Sequence, residues 1–567
     1  MKSILRIAFA IGLAAVASAA SATAQTVVLD GLGSSAYFLQ AGLGASYSGG
    51  AINAPCVWSE KNGSVVATDT STGTSLTDSG NAWVAWTKGS DGTCATAGSI
   101  YAYLQTDSVV GNRCLFNSNL STRECFITYP TTPASPAGLI LGASEVSLPS
   151  SVVTALNSST QLVNYAGTDI RPEDAEFAIT RALTGCGTPV ATGSQYLGLG
   201  YSNGGNILGY SGTGGSSFHV ISFSLPSSAP NVTVVGATPI VVAVNDNSGT
   251  GFGAYSNISS QALANFLDGT YSYTGQVASS PSATGSAATV FLREPLSGTY
   301  NTMEYNVPNR VGPPGGSFAT SQDVGLNQPS TQVNCPGSPL IAGSTTNPLF
   351  IETPSGGSRQ RAIGTGKELA AVVANSTTTG TGNSLGYSFW SAANFAGFSG
   401  LTTAKYYTVD GFDPLGTGGT IPTTSTQLAS VSLSTTANGT YPIWSLLRLV
   451  NVDPSVDNAL ADLASATDDF VSPSHPDFVA PSDMNVVRSH FTPPAGSGLP
   501  DSSLLANGDW QLNDSNSNCF NNESGGDVGG VIIGIYLNSL THSPLSLNDN
   551  SYCTNTGNAG GQVGYRR

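Results

Sequence analysis

Charge is scarce in this chain of 567 residues: only 9% are Asp, Glu, Lys or Arg, and 18 are basic. Against 34 acids the formal balance is −16, which argues against nucleic acid or an anionic membrane as a partner. A small anion stays open. Distant surface charge is screened beyond ~8 Å at physiological salt, whereas a helix start or a buried arginine acts at contact distance. Histidine is scarcer still, with four residues at 219, 475, 490 and 542, none beside a recognisable acid partner. The eight cysteines include no Cys-x-x-Cys pair, which argues against a zinc site. Beyond the N-terminus no segment approaches the ~20 apolar residues of a membrane span.

The N-terminus reads as an export signal over residues 1–24. Lys2 and Arg6 supply charge, Ile7 to Val16 the apolar stretch, and Ala22-Thr-Ala24 a small-residue cleavage site. The first cysteine after it is Cys56, so no lipid-anchor cysteine follows the cleavage site. The mature protein is expected to be soluble, without a membrane anchor, and periplasmic or secreted. Cysteines in an exported chain point to disulfides. Spacing suggests Cys114–Cys125 and Cys519–Cys553 as local pairs, with Cys56–Cys94 and Cys186–Cys335 as the remaining candidates. Abundant Gly, Ser, Thr and Asn favour a turn-rich surface with many short strands over an exposed helical bundle.

The chemistry concentrates in Thr289-Val-Phe-Leu-Arg-Glu-Pro-Leu-Ser-Gly-Thr299. A short apolar strand ends in Arg293, and a Ser-Gly-Thr turn that can open a helix follows four residues later. A guanidinium offers a permanent charge and a planar fork of donors. Hydroxyls and the free N–H groups of a helix start add neutral donors. Arg293, Ser297, Gly298 and Thr299 therefore read as half of an oxyanion clamp. Two upstream segments are candidates for the other half. Thr26-Val-Val-Leu-Asp-Gly-Leu-Gly-Ser-Ser-Ala-Tyr-Phe38 is a strand, a glycine turn and hydroxyl residues. In Tyr165-Ala-Gly-Thr-Asp-Ile-Arg-Pro-Glu-Asp-Ala175, Thr168 and Asp169 precede a helix whose first turn suits Pro172.

The order and content of these segments resemble the phosphate-binding proteins of bacterial ABC importers, a branch of the type 2 periplasmic binding proteins. That family combines a Gly-x-Gly-x-(Ser/Thr) loop, an Asp after a small-residue pair, and an Arg-x-x-x-Ser-Gly-Thr run. Its crossing strand is matched by Thr238-Pro-Ile-Val-Val-Ala-Val-Asn245, and the short helix after it by Ser259 to Gly269. Gly364-Thr-Gly366, Leu385-Gly-Tyr-Ser-Phe-Trp390 and Tyr441-Pro-Ile-Trp-Ser445 match later segments. The likeness is confined to islands at roughly 27–40, 162–183, 237–300, 364–395 and 441–450.

The resemblance implies an α/β, two-lobed periplasmic binding protein type 2 fold with β/loop-rich insertions and a C-terminal extension. Lobe 1 would take residues 25–236, lobe 2 residues 237–390, and a return segment to lobe 1 residues 391–495. Residues 43–100, with tryptophans 58, 83 and 86, and 184–230 would be insertions, and 496–567 an extension. A helix capped by Asp453 would follow Pro454. The function implied is reversible capture of inorganic phosphate, or a related oxyanion, by hinge closure. No chemistry, cofactor or metal is implied, and the partner would be an ABC importer in the membrane. The site would use Ser34, Ser35, Ala36, Ser108, Thr168, Asp169, Arg293, Ser297, Gly298 and Thr299.

Asp169 would select the ligand. Monohydrogen phosphate has a proton to donate and sulfate has none, so an acceptor-only carboxylate rejects sulfate. The competing role is a cap for its own helix. The family's acid two residues after the arginine is absent, since that position is Pro295. Two rival motifs are weaker. Gly31-Leu-Gly-Ser-Ser-Ala36 fits a dinucleotide-binding spelling without the acidic residue that should follow. Gly200-Tyr-Ser-Asn-Gly204 has the spelling of a nucleophile elbow without the preceding strand. Tryptophans 58, 83, 86, 390, 444 and 510 are scattered, and packing is the usual role of aromatics; the large Ser/Thr/Asn/Gly-rich insertions and tail leave a surface or adhesive, carbohydrate-binding protein as the alternative function.

Overall fold

The computed structural model describes residues 25–175, 230–307, 351–471 and 477–488, apart from short breaks, together with Ile532–Gly534. The signal segment, Cys186, Cys335, Cys519, Cys553, Trp510, all four histidines and Gly200–Gly204 lie outside the described residues. So do Glu294, Pro295 and nearly all of the C-terminal extension.

The main strands begin with β1 (Thr26–Gly33), β2 (Cys56–Glu60), β3 (Val66–Asp69), β4 (Leu76–Ser79) and β5 (Ala82–Lys88). Next come β6 (Ala97–Gln105), β7 (Cys125–Thr128), β8 (Tyr165–Thr168) and β9 (Asn231–Asn245). They end with β10 (Thr289–Arg293), β11 (Ser358–Ala362), β12 (Ser384–Phe389), β13 (Ala404–Tyr406) and β14 (Trp444–Asn451). The larger helices are α1 (Phe38–Ser46), α2 (Ser108–Asn117), α3 (Ser260–Leu267), α4 (Gly298–Asn306), α5 (Thr365–Ala374) and α6 (Asp457–Val471).

Together these make a mixed α/β structure around one 12-stranded sheet. From the edge strand Ile351–Glu352 its order is β11, β10, β12, β9, β14, β8, β1, β6, β5, β2, with β13 paired to β9 off that path. Strands β4, β3 and β7 form a separate small sheet. The longest strand, β9, has a buried apolar run, Ile240-Val-Val-Ala-Val244, as a strand covered on both faces requires. It begins at Asn231, seven residues before Thr238, the expected start of the crossing strand. From Asn231 to Pro239 it pairs antiparallel with β14, and from Ile240 onward with β12. This one strand therefore belongs to two groups, β1–β2–β5–β6–β8–β14 on one side and β10–β11–β12 on the other.

Residues 43–100 are less loop-like than their composition implies. Strands β2 and β5 extend the main sheet beyond β6, and Trp58, Trp83 and Trp86 are fully buried. The Trp83 indole donates to the Phe38 carbonyl at 2.9 Å, and the Trp86 indole to the Cys94 carbonyl at 3.1 Å. Trp390 and Trp444 are buried as well. Packing, the usual role of large aromatics, uses these five rings and leaves none of them for stacking on a sugar. The disulfides Cys56–Cys94 and Cys114–Cys125 are formed.

Asp453 caps the entry to α6, as expected. The Asp453 side chain accepts from the Ser455 N–H at 2.9 Å and caps a short 3-10 turn, Pro454–Val456, which then leads into α6. Tyr441-Pro-Ile443 precedes the last main strand, which starts at Trp444; Pro442 has no N–H for a ladder. Leu460 and Leu463 of α6 are buried in the core shared with α1. Among the described residues no helix is long and apolar enough to cross a membrane.

Candidate functional site

Strands β1, β6 and β8 are parallel, so Gly33, Gln105 and Gly167 lie in register and the three chains leave the sheet side by side. Open α/β sheets form crevices at such carboxyl ends. The residues that follow are Ser34–Ala36, Thr106–Ser108 and Asp169. Gly33 makes the exit tight: its φ is +139°, and a Cβ there would run into the Gly167 carbonyl. The Ser34 N–H donates to that carbonyl at 2.8 Å, and the Ser34 hydroxyl accepts from the Ala36 N–H at 3.2 Å. The Ser34 N–H is thus spent on β8, and the Ala36 N–H within the turn.

Asp169 is the best-held residue of the group. It is 1% exposed, and its carboxylate accepts from the Ser108 hydroxyl. The Ser445 hydroxyl on β14 donates to its backbone carbonyl at 2.6 Å. Burial raises its carboxyl to about 6, opposed first by the Ser108 hydrogen bond and then by the charges of Arg293 and Arg448. Thr168 is used internally. Its hydroxyl donates to the Ile170 carbonyl at 2.7 Å and accepts from the Asn112 amide at 3.2 Å. Asn112 also donates to the Ser108 carbonyl at 2.9 Å, which ties the start of α2 to the end of β8.

The second half of the site arrives from β10. Apolar Val290, Phe291 and Leu292 bury that strand, and Arg293 at its end is 2% exposed. Leu296 meets the first strand group: its carbonyl accepts from the Val109 N–H at 3.4 Å. Ser297 is the N-cap of α4, accepting from the Tyr300 N–H at 3.4 Å. The first N–H groups of a helix have no partner within it and carry its positive end. Gly298 begins α4 directly against Asp169: a Cβ on Gly298 would fall inside that carboxylate. Arg293 Nη1 donates to the Thr365 hydroxyl at 2.8 Å and the Thr299 hydroxyl at 3.5 Å, and Nη2 lies 3.6 Å from Asp107.

The structure thus joins Ser108, Asp169, Arg293, Gly298 and Thr299, with Ser297 capping the helix, while Ser34–Ala36 stand at the neighbouring strand end. Sequence reasoning passes over Asp107, Thr365, Ser445 and Arg448. Asp107 lies next to Ser108 and Thr365 inside the glycine turn 364–366, so both neighbourhoods are visible. Their link to Arg293 exists only once the chain folds. Among the described residues no group of His, Cys, Asp and Glu is arranged to hold a metal ion.

No family model matches the chain, and none of the curated proteins does. Similar solved structures include a phosphate binding protein from Stenotrophomonas maltophilia, at 16% identity over 69% of this chain and 86% of that one, with a TM-score of 0.31. An ABC-type phosphate transport receptor from Vibrio cholerae matches at 13% identity over 45% and 75%, with a TM-score of 0.27. A human phosphate binding apolipoprotein matches at 15% over 61% and 86%, with a TM-score of 0.28. At these scores the likeness is distant and decides nothing about function.

Proposed function

We propose that this chain is an exported solute-binding protein that captures inorganic phosphate, or a closely related oxyanion, between two lobes. Lobe 1 is built on the β1–β6–β8 group, and lobe 2 on the β10–β12 group. Capture is reversible binding without chemistry, serving an importer in the membrane or free scavenging outside the cell. One observation carries the reading: Arg293 and the helix start at Gly298, from one segment, meet the carboxylate of Asp169, from another.

The anion would enter by parting Ser108, Asp169 and Gly298, which touch in this structure. Each oxygen that loses water needs a donor. The Arg293 fork, the N–H groups at the start of α4 and the hydroxyls of Ser108, Ser297 and Thr299 provide donors; Asp169 takes the proton of monohydrogen phosphate.

Equilibrium binding of labelled phosphate to the ligand-stripped protein, with and without excess sulfate, tests this. The expected result is micromolar or tighter affinity, little competition by sulfate, and loss of binding in a folded Arg293→Ala variant. Undetectable binding by the wild-type chain would replace this reading with that of a surface or adhesive protein.

A further inference from the structure

We propose that Asp107 is a positioning residue for Arg293, and that their ion pair ties the aim of the guanidinium to the approach of the two strand groups. The inference rests on the phosphate-capture reading and deepens it. Asp107 lies between β6 and α2, in one group. Arg293 ends β10, in the other. Their Nη2–Oδ1 distance is 3.6 Å, with side chains 2% and 13% exposed. That distance exceeds a charge-assisted hydrogen bond, so the pair acts as a charge that points the fork. The Nη1 side is held by Thr365 and Thr299. Thr299, Thr365 and Asp107 are thus partners of one planar group, and two of them, Thr299 and Thr365, sit at helix starts of Arg293's own group. Asp107 alone of the three reaches over from the other. The position two residues past the arginine in sequence is Pro295, which has no side-chain acceptor.

Two effects oppose each other at Asp107. Its negative charge repels an incoming dianion, while its hold on Arg293 readies the fork and lowers the ordering cost of binding. Adjacency decides between them. Asp107 precedes Ser108, whose hydroxyl is fixed on Asp169, so one short stretch of backbone sets both the fork and the selecting carboxylate. Aim outweighs repulsion.

The test is equilibrium dialysis of labelled inorganic phosphate against the full ligand-stripped chain, with release rates by stopped flow. Asp107→Asn should weaken binding about tenfold, mainly through faster release, and Asp107→Glu should recover most of the loss. In an Arg293→Lys background the added Asp107→Asn change should cost less than about twofold, because an ammonium has no fork to aim. Melting without phosphate reports folding; should Asp107→Asn not fold, Asp107→Ser carries the same expectation. Wild-type affinity or tighter in Asp107→Asn overturns the inference and leaves phosphate capture standing, as does a full tenfold loss in the lysine background. A wild-type chain that binds no phosphate overturns the capture reading, and this one with it.

Discussion

The hydroxyl of Ser108 donates to the carboxylate of Asp169, joining the ends of β6 and β8 across the intervening β1. Burial holds that carboxyl near 6, and the hydroxyl favours its charged form. Ser108→Ala should therefore raise the Asp169 pKa further. Phosphate affinity at pH 7 should fall by roughly 10–100-fold, the usual worth of a hydrogen bond to a charged group, with a smaller loss at pH 8.5. Titrations at both pH values check this, and equal losses would detach the effect from protonation of Asp169.

Gly298 leaves no room for a side chain beside Asp169. Gly298→Ala should destabilise the protein by about 1–3 kcal/mol, as overpacking of a filled site does, and weaken phosphate binding. Adding Asp169→Ala removes the obstructing carboxylate and should restore stability but not binding. Denaturant unfolding of the two variants measures this; a stable Gly298→Ala protein would show that the helix start moves freely.

Asp30 is buried in β1, and burial raises its carboxyl from 3.8 to about 7, against the Tyr129 hydrogen bond and the charge of Arg123. A raised folded pKa means that the group's contribution to stability is fully present below about pH 3.8 and is lost as pH rises through about 7. Asp477, raised to about 7 for the same first cause, acts in the same sense. The melting temperature should fall between pH 5 and 8. Asp30→Asn keeps an acceptor for the Tyr129 hydroxyl without the charge, so it should be more stable than wild type at pH 8, less so at pH 5, and nearly equal only below about pH 3.8. Parallel melting profiles for the two proteins would show that Asp30 does not set the slope.

Local signals account for what is legible beforehand. The apolar run ending in a charge marks Thr289–Arg293 as a strand, and the same residues form β10. The family resemblance implies a short helix over Ser259 to Gly269, and a helix is observed at Ser260–Leu267. The sheet edge within 43–100 is hidden because Ser, Thr and Gly surround its strands, and only burial shows that the tryptophans are core. Asp107 and Thr365 are hidden for a different reason. A carboxylate or hydroxyl acquires its role from the guanidinium it faces, and neither neighbour in sequence carries that information. The Ser34–Ala36 turn is visible by spelling, yet its hydrogen bonds to itself and to Gly167 could not be read from the residues.

The point where β9 exchanges one neighbour for another falls at Pro239 and Ile240. Proline donates no rung to a ladder; the Pro239 carbonyl accepts from the Trp390 N–H at 2.9 Å after β12, and the Ile240 N–H donates to the Ile443 carbonyl at 2.8 Å before β14. On the proposed two-lobe reading, a swing of one half against the other would flex β9 at this residue pair.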